Sequence, residues 1–141
     1  MHAAETDDRI ERWVELDADA DAVWREIGGF EAIADWHPAV VSAERIDIEG
    51  EPHRRLTLKD GGALMERLVA LHPLRYVYEI VDGPLPVSGY RSTFSVSTRP
   101  EGGCRVFWSS IFEAEDETAD DIIAGIYETG LEAIRERFRS G

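Results

Sequence analysis

The chain contains a single cysteine, Cys104, among its 141 residues. No intramolecular disulfide is possible, and a reducing cytoplasm is the expected location. The opening stretch, MHAAETDDRIERW, has no basic segment leading into an apolar one, so no secretory signal is expected. No apolar run approaches the ~18 residues that a membrane-spanning helix needs. Lysine is almost missing as well. Of the 15 basic residues all but Lys59 are arginine, which reads as a compositional or salt-adaptation bias. Against them stand 29 acidic residues, for a net charge of −14. That field repels phosphate backbones and anionic lipid surfaces, which argues against nucleic-acid binding. His2, His37, His53 and His72 are scattered, without the paired spacing of a metal site. Neither a phosphate-cradling loop nor a dinucleotide fingerprint occurs, and the serines of WSS lack a nucleophile-elbow context. Neither a metal nor another cofactor is expected.

What the chain does have is a 43% hydrophobic composition, enough to build a core. Its length predicts one domain, 1–141, with an ordered core over about 10–138. RIERWVELDA alternates with period two, which predicts a strand with Ile10, Val14 and Leu16 on one side and Trp13 on the other. DADADAVWREIGGF predicts a helix capped by Asp17 or Asp19, striped by Val23, Trp24 and Ile27, and stopped by Gly28-Gly29. FEAIADWHP predicts a second short helix closed by Pro38. Six strands then follow in series: about Val40–Ile48, Arg54–Lys59, Ala63–Leu71, Tyr76–Val81, Ser88–Thr98 and Cys104–Glu113. The breaks EGEPH, DGG, HPLR, DGPLPV and RPEGG are short and suit antiparallel hairpins.

From about 118 to 139 the apolar residues Ile122, Ile123, Ile126, Tyr127, Leu131, Ile134 and Phe138 recur at helical spacing. Thr118 and Asp121 have the spacing of a capping box. Such a helix would run about 33 Å and cross a whole sheet. The expected fold is therefore α+β, in the order β-α-α-β6-α, with a curved seven-stranded antiparallel sheet wrapped around a long C-terminal helix.

Alternation also nominates inward side chains. Tyr76, Tyr78 and Ile80 share a face, as do Tyr90, Ser92, Phe94 and Val96, and Val106, Trp108, Ser110 and Phe112. Rings with polar tips suit a ligand with an apolar body and a few oxygens. Equally, they can simply fill a core. In GPLPVSGY the two prolines discourage strand pairing. The loop is expected to project past the sheet edge, with Leu85 and Val87 closing a cavity mouth beside Trp36-His37-Pro38. His37 follows the second helix and is a candidate acid, base or hydrogen-bond donor, or else a structural histidine bonded to backbone. Glu66 faces inward if Leu64 and Leu68 do. It would then need a partner, for which Arg55 is the candidate, although Leu56 and Leu58 argue that Arg55 points outward.

The stretches VWREIGGFEAIADWHPAV, RRLTLKDGG with ERLVAL, YVYEIVDGPLPVSGYRSTFSV, RVFWSSIFE and IYETGLEAIRERF resemble the SRPBCC superfamily. This is the helix-grip fold of START lipid-transfer domains and the major pollen allergens, and the chain is most similar to its polyketide cyclase/dehydrase and lipid-transport group. The resemblance implies an apolar cavity between sheet and C-terminal helix, and a hydrophobic or lipid-like small molecule as partner. The expected lining is Trp36, His37, Tyr76, Tyr78, Leu85, Tyr90, Phe94, Trp108, Ile123 and Tyr127. His37 and Glu66 are the candidate catalytic residues. Three functions fit: a non-catalytic binder or carrier, a cyclase/dehydratase-like enzyme, or a protein-interaction module. A cavity above a few hundred Å³ favours the first two, and a filled interior the third. Trp13, on the outer side of the first strand, leaves a homodimer open.

Overall fold

The computed structural model describes residues 7–139; His2 and the rest of the opening stretch lie outside them. Strand β1 (Asp7–Leu16) is followed by helices α1 (Ala20–Ile27) and α2 (Ile33–Trp36). Strands β2 (Val40–Ile48), β3 (Glu51–Leu58), β4 (Ala63–His72), β5 (Arg75–Asp82), β6 (Val87–Thr98) and β7 (Cys104–Ala114) come next, and α3 (Ala119–Arg137) closes the chain. The strands form one antiparallel sheet in the order β1-β7-β6-β5-β4-β3-β2. The curved sheet grips α3, as expected.

Local chemistry sets the element ends. Asp19, not Asp17, caps α1: its carboxylate accepts from the backbone amides of Asp21 and Ala22 at 3.2 and 3.3 Å. Val23 and Ile27 are fully buried beneath it. The β2–β3 connection is tighter than the EGEPH stretch suggests. Glu49 and Gly50 both have positive φ (53° and 82°), the signature of a two-residue hairpin turn, so β3 begins at Glu51 rather than Arg54. The capping box expected at Thr118 and Asp121 does not form. Instead Asp116 accepts from both the amide and the hydroxyl of Thr118.

Helix α3 buries Ile123, Tyr127, Leu131 and Ile134, one stripe at three- and four-residue spacing. Ile122 falls beside that stripe and stays 37% exposed. The DGPLPV loop does not project freely. The Pro86 carbonyl accepts from the Glu115 amide at 2.8 Å, which ties the loop to the β7–α3 junction. Trp13 is 53% exposed and stacks on Phe107 with ring centroids 5.4 Å apart. Cys104 is buried and free. No helix among the described residues is long and apolar enough to cross a membrane.

Candidate functional site

A buried cavity lies between the sheet and the first half of α3. It is lined by Leu56 and Leu58 from β3, Leu64 and Glu66 from β4, Tyr78 and Ile80 from β5, Tyr90 from β6 and Trp108 from β7. Ile123 and Ile126 of α3, Leu85 of the proline loop, Ile33 of α2, and His37, Ala39 and Val40 complete it. The volume is about 60 Å³. At ~30 Å³ per water that is room for about two solvent molecules. The space between sheet and helix is therefore mostly filled, well short of the few hundred Å³ that would favour a binder or an enzyme over an interaction module.

Aromatic packing fills it. Trp36 stacks on Phe94 at 5.2 Å, Tyr76 lies 5.5 Å from Phe94, and Trp108 stacks on Tyr127 at 4.3 Å. Of the ten expected lining residues, His37, Tyr78, Leu85, Tyr90, Trp108 and Ile123 reach the cavity. Trp36, Tyr76, Phe94 and Tyr127 do not; they build the core beside it. Leu85 is part of the cavity lining, whereas Val87 begins β6 and packs on the core outside the lining.

This scaffold, one long helix held in a sheet with a small apolar chamber along it, is also a sequence signature. The model of the family described as "Polyketide cyclase / dehydrase and lipid transport" matches residues 7–139. The chain belongs to that family. The XoxI protein of Bacillus cereus is 32% identical to this polyketide cyclase/dehydrase family member; the match covers 92% of this chain and 94% of that one, with a TM-score of 0.85. A Bacillus thuringiensis protein is 33% identical, over 93% and 98% of the two chains, also with a TM-score of 0.85. The Zhui aromatase/cyclase of a Streptomyces species shares only 17% identity, over 93% of each chain with a TM-score of 0.75, and so speaks for the fold alone. No curated protein matches the chain.

Glu66, the charged residue of this family member's chamber lining, belongs to an ion pair that sequence reasoning missed. Glu66 is 4% exposed and does point inward, but its partner is Arg54, not Arg55. Arg55 is exposed, as Leu56 and Leu58 indicated. Arg54 shares their inward parity, sits directly across from Glu66 in the β3–β4 register and is 0% exposed. Arg54 Nε donates to Glu66 Oε1 at 2.7 Å, and Nη1 donates to the Phe30 carbonyl and, at 3.2 Å, to Tyr76 Oη. The rings of Phe30, Tyr78 and Tyr76 pack around the guanidinium at 4.3, 4.8 and 5.5 Å. Burial opposes the charge on Arg54, but Tyr76, Glu66 and Tyr78 outweigh it and keep the group cationic. Burial lifts the Glu66 carboxyl above its ordinary range, against the pull of Arg54.

His37 pins α3 to the α2–β2 corner. Its Nε2 lies 2.8 Å from the Ile126 carbonyl, and its Nδ1 accepts from the Ala39 amide at 3.1 Å. The amide can only donate, so the proton sits on Nε2 and the ring is neutral. Burial holds its pKa below the ordinary value, with Arg54 adding to the effect and the Ile126 carbonyl opposing it. Both ring nitrogens are thus committed to backbone, the structural alternative for this residue. Gly130 makes the approach possible. A β-carbon there would stand 2.6 Å from His37 Cδ2 and 2.9 Å from Trp108 Cζ3.

Beside the chamber runs a network of hydroxyls. Trp108 Nε1 donates to Tyr78 Oη and Ser92 Oγ, both at 3.1 Å. Tyr78 Oη is 3.4 Å from Tyr90 Oη, Tyr90 bonds Tyr127, and Tyr127 Oη is 3.0 Å from Ser92 Oγ. Burial pushes Tyr78 and Tyr90 well above the ordinary phenol range, raises Tyr76 and pushes Tyr127 up to about 12. All four stay neutral hydrogen-bonding groups at physiological pH.

Proposed function

We propose that this chain binds an apolar small molecule in the chamber between sheet and α3, and that the chamber opens to admit it. The observation that carries this reading is the chamber itself: buried, mostly aliphatic, and holding one carboxyl. Pockets that hold whole ligands measure ~300–1,000 Å³. A ligand must therefore displace Leu85, the first half of α3, or both. Burying ~300 Å² of apolar ligand surface contributes roughly 7 kcal/mol at ~25 cal/mol/Å². Association and opening subtract several kcal/mol, which leaves affinities of order micromolar to millimolar.

Titration calorimetry with the neutral probe N-phenyl-1-naphthylamine tests the reading. Saturable binding by the wild type and its loss in Ile123→Trp, which fills the chamber, are expected. Binding unchanged in that variant, or no binding at all, would move the function to the outer surface. This is the protein-interaction reading that the small volume favours. A cyclase/dehydratase-like activity is the catalytic alternative, and Glu66 favours it. A carboxylate made more basic by burial, sharing the lining with Tyr78 and Tyr90, is equipped to take a proton from an enolisable ligand. Burial of the lone thiol Cys104 supports a cytoplasmic setting, and the net charge of −14 speaks against nucleic acid as partner. A homodimer would place the exposed Trp13 at its interface, and sedimentation velocity of Trp13→Glu against the wild type tests that part.

A further inference from the structure

Most polar side chains at the chamber have spent their hydrogen bonds inside the protein. His37 uses both ring nitrogens on backbone, and the Trp108 N–H goes to Tyr78 and Ser92. The hydroxyl protons run one way. Ser92 Oγ donates to the Ser109 carbonyl at 2.9 Å, which makes Tyr127 the donor to Ser92, Tyr90 the donor to Tyr127 and Tyr78 the donor to Tyr90. Among the described residues no donor on a lining side chain is left over for a ligand; the unpartnered Trp36 Nε1 and Ser110 Oγ belong to residues outside the lining. Glu66 differs. Among the described residues its only hydrogen bond comes from Arg54, on Oε1. A carboxylate offers about four acceptor positions, so capacity remains. Arg54 has one unpartnered nitrogen, Nη2, but is not part of the chamber lining.

We propose that the chamber selects apolar molecules that carry a hydrogen-bond donor, a hydroxyl foremost, and seats that donor on Glu66 while turning carboxylates away. The proposal rests on the ligand-binding reading of this chamber. A ligand bearing only acceptors would bury them unpaired, a mismatch worth about tenfold to a hundredfold in affinity. A carboxylate would bring a second negative charge to Glu66, whose own charge is already matched by Arg54, in a protein of net charge −14. Simple fatty acids are thereby excluded, and long-chain alcohols, sterol-like alcohols and phenols are admitted.

Three probes of one shape test this on the full chain near neutral pH: 2-naphthol, 2-methoxynaphthalene and 2-naphthoate. Their affinities are read by NMR titration, with side-chain shifts at Leu85 and Ile123 locating the bound molecule. The expected order is 2-naphthol tightest, by about tenfold or more, then the ether, then the naphthoate. In Glu66→Gln, which keeps the shape but can donate as well as accept, the three affinities should converge. Naphthoate binding as tightly as naphthol would assign recognition to Arg54 and overturn the proposal while leaving the chamber a ligand site. Equal affinity for naphthol and its ether would overturn it in the same way. If no probe shifts the chamber residues, the ligand-binding reading falls and takes the proposal with it.

Discussion

Removal of one partner from the Arg54–Glu66 pair should be among the most damaging single changes in the molecule. In Glu66→Leu the guanidinium keeps its bonds to the Phe30 carbonyl and Tyr76 but loses its countercharge inside a 0% exposed site. A buried charge stranded in this way costs roughly 3–5 kcal/mol. For a chain of 141 residues that corresponds to a fall of roughly 10–20 °C in melting temperature. Arg54→Met removes the cation instead. Glu66 can then take up a proton, but the Phe30 carbonyl loses its donor, at about 1–3 kcal/mol. The double variant Arg54→Met/Glu66→Leu strands no charge, so it should be more stable than Glu66→Leu alone. Urea unfolding of the four proteins at neutral pH supplies the complete cycle. A cost below about 1 kcal/mol for Glu66→Leu, or strict additivity in the double variant, would refute the argument that the pair is dry and coupled.

Further outcomes follow from the same geometry. Gly130→Ala gains up to ~1 kcal/mol of helix propensity but drives a methyl into His37 and Trp108, so net destabilisation of about 1–3 kcal/mol is expected in thermal melts. His37 has a folded-state pKa below its unfolded value, so the unfolded chain binds the extra proton. Its contribution is complete above about pH 6.5 and is lost as pH falls through the folded value, with a slope of up to ~1.4 kcal/mol per pH unit. His37→Gln should flatten that acid limb in urea midpoints measured over the window. The four tyrosines are buried with raised pKa values, so the native protein should show less tyrosinate absorbance at pH 10 than the unfolded chain. Their folded state holds protons that the unfolded chain releases, so stability should decline as pH rises above about 10.

Much of this architecture is legible in the amino-acid sequence. Strand parity, read from Leu56, Leu64, Tyr78 and Trp108, names the inward faces because a sheet with one buried side enforces alternation. The same rule hides Arg54. A charge at an inward position breaks the pattern, and only the register opposite Glu66 reveals why it is tolerated. The signal available for it is the shared parity of Arg54, Leu56 and Leu58. Alternation also fails to separate a ring that lines a void from one that fills it, since Tyr76 and Tyr78 point the same way and differ only in what packs above them. Turn chemistry sets the start of β3, where Glu49 adopts the left-handed conformation that glycine or asparagine usually takes. The capping at Asp116 depends on a side chain two residues upstream of Thr118, outside the capping-box spacing.

The placement of the indoles has a practical consequence. Trp36 and Trp108 are buried, Trp24 is half covered, and Trp13 is the one exposed tryptophan of the four. Trp13→Phe would therefore leave a protein whose fluorescence arises mainly from its interior, with Trp108 at the chamber wall and Tyr127 stacked on it. Its emission colour would report, without any added dye, whether water or a guest molecule occupies the space beside Glu66.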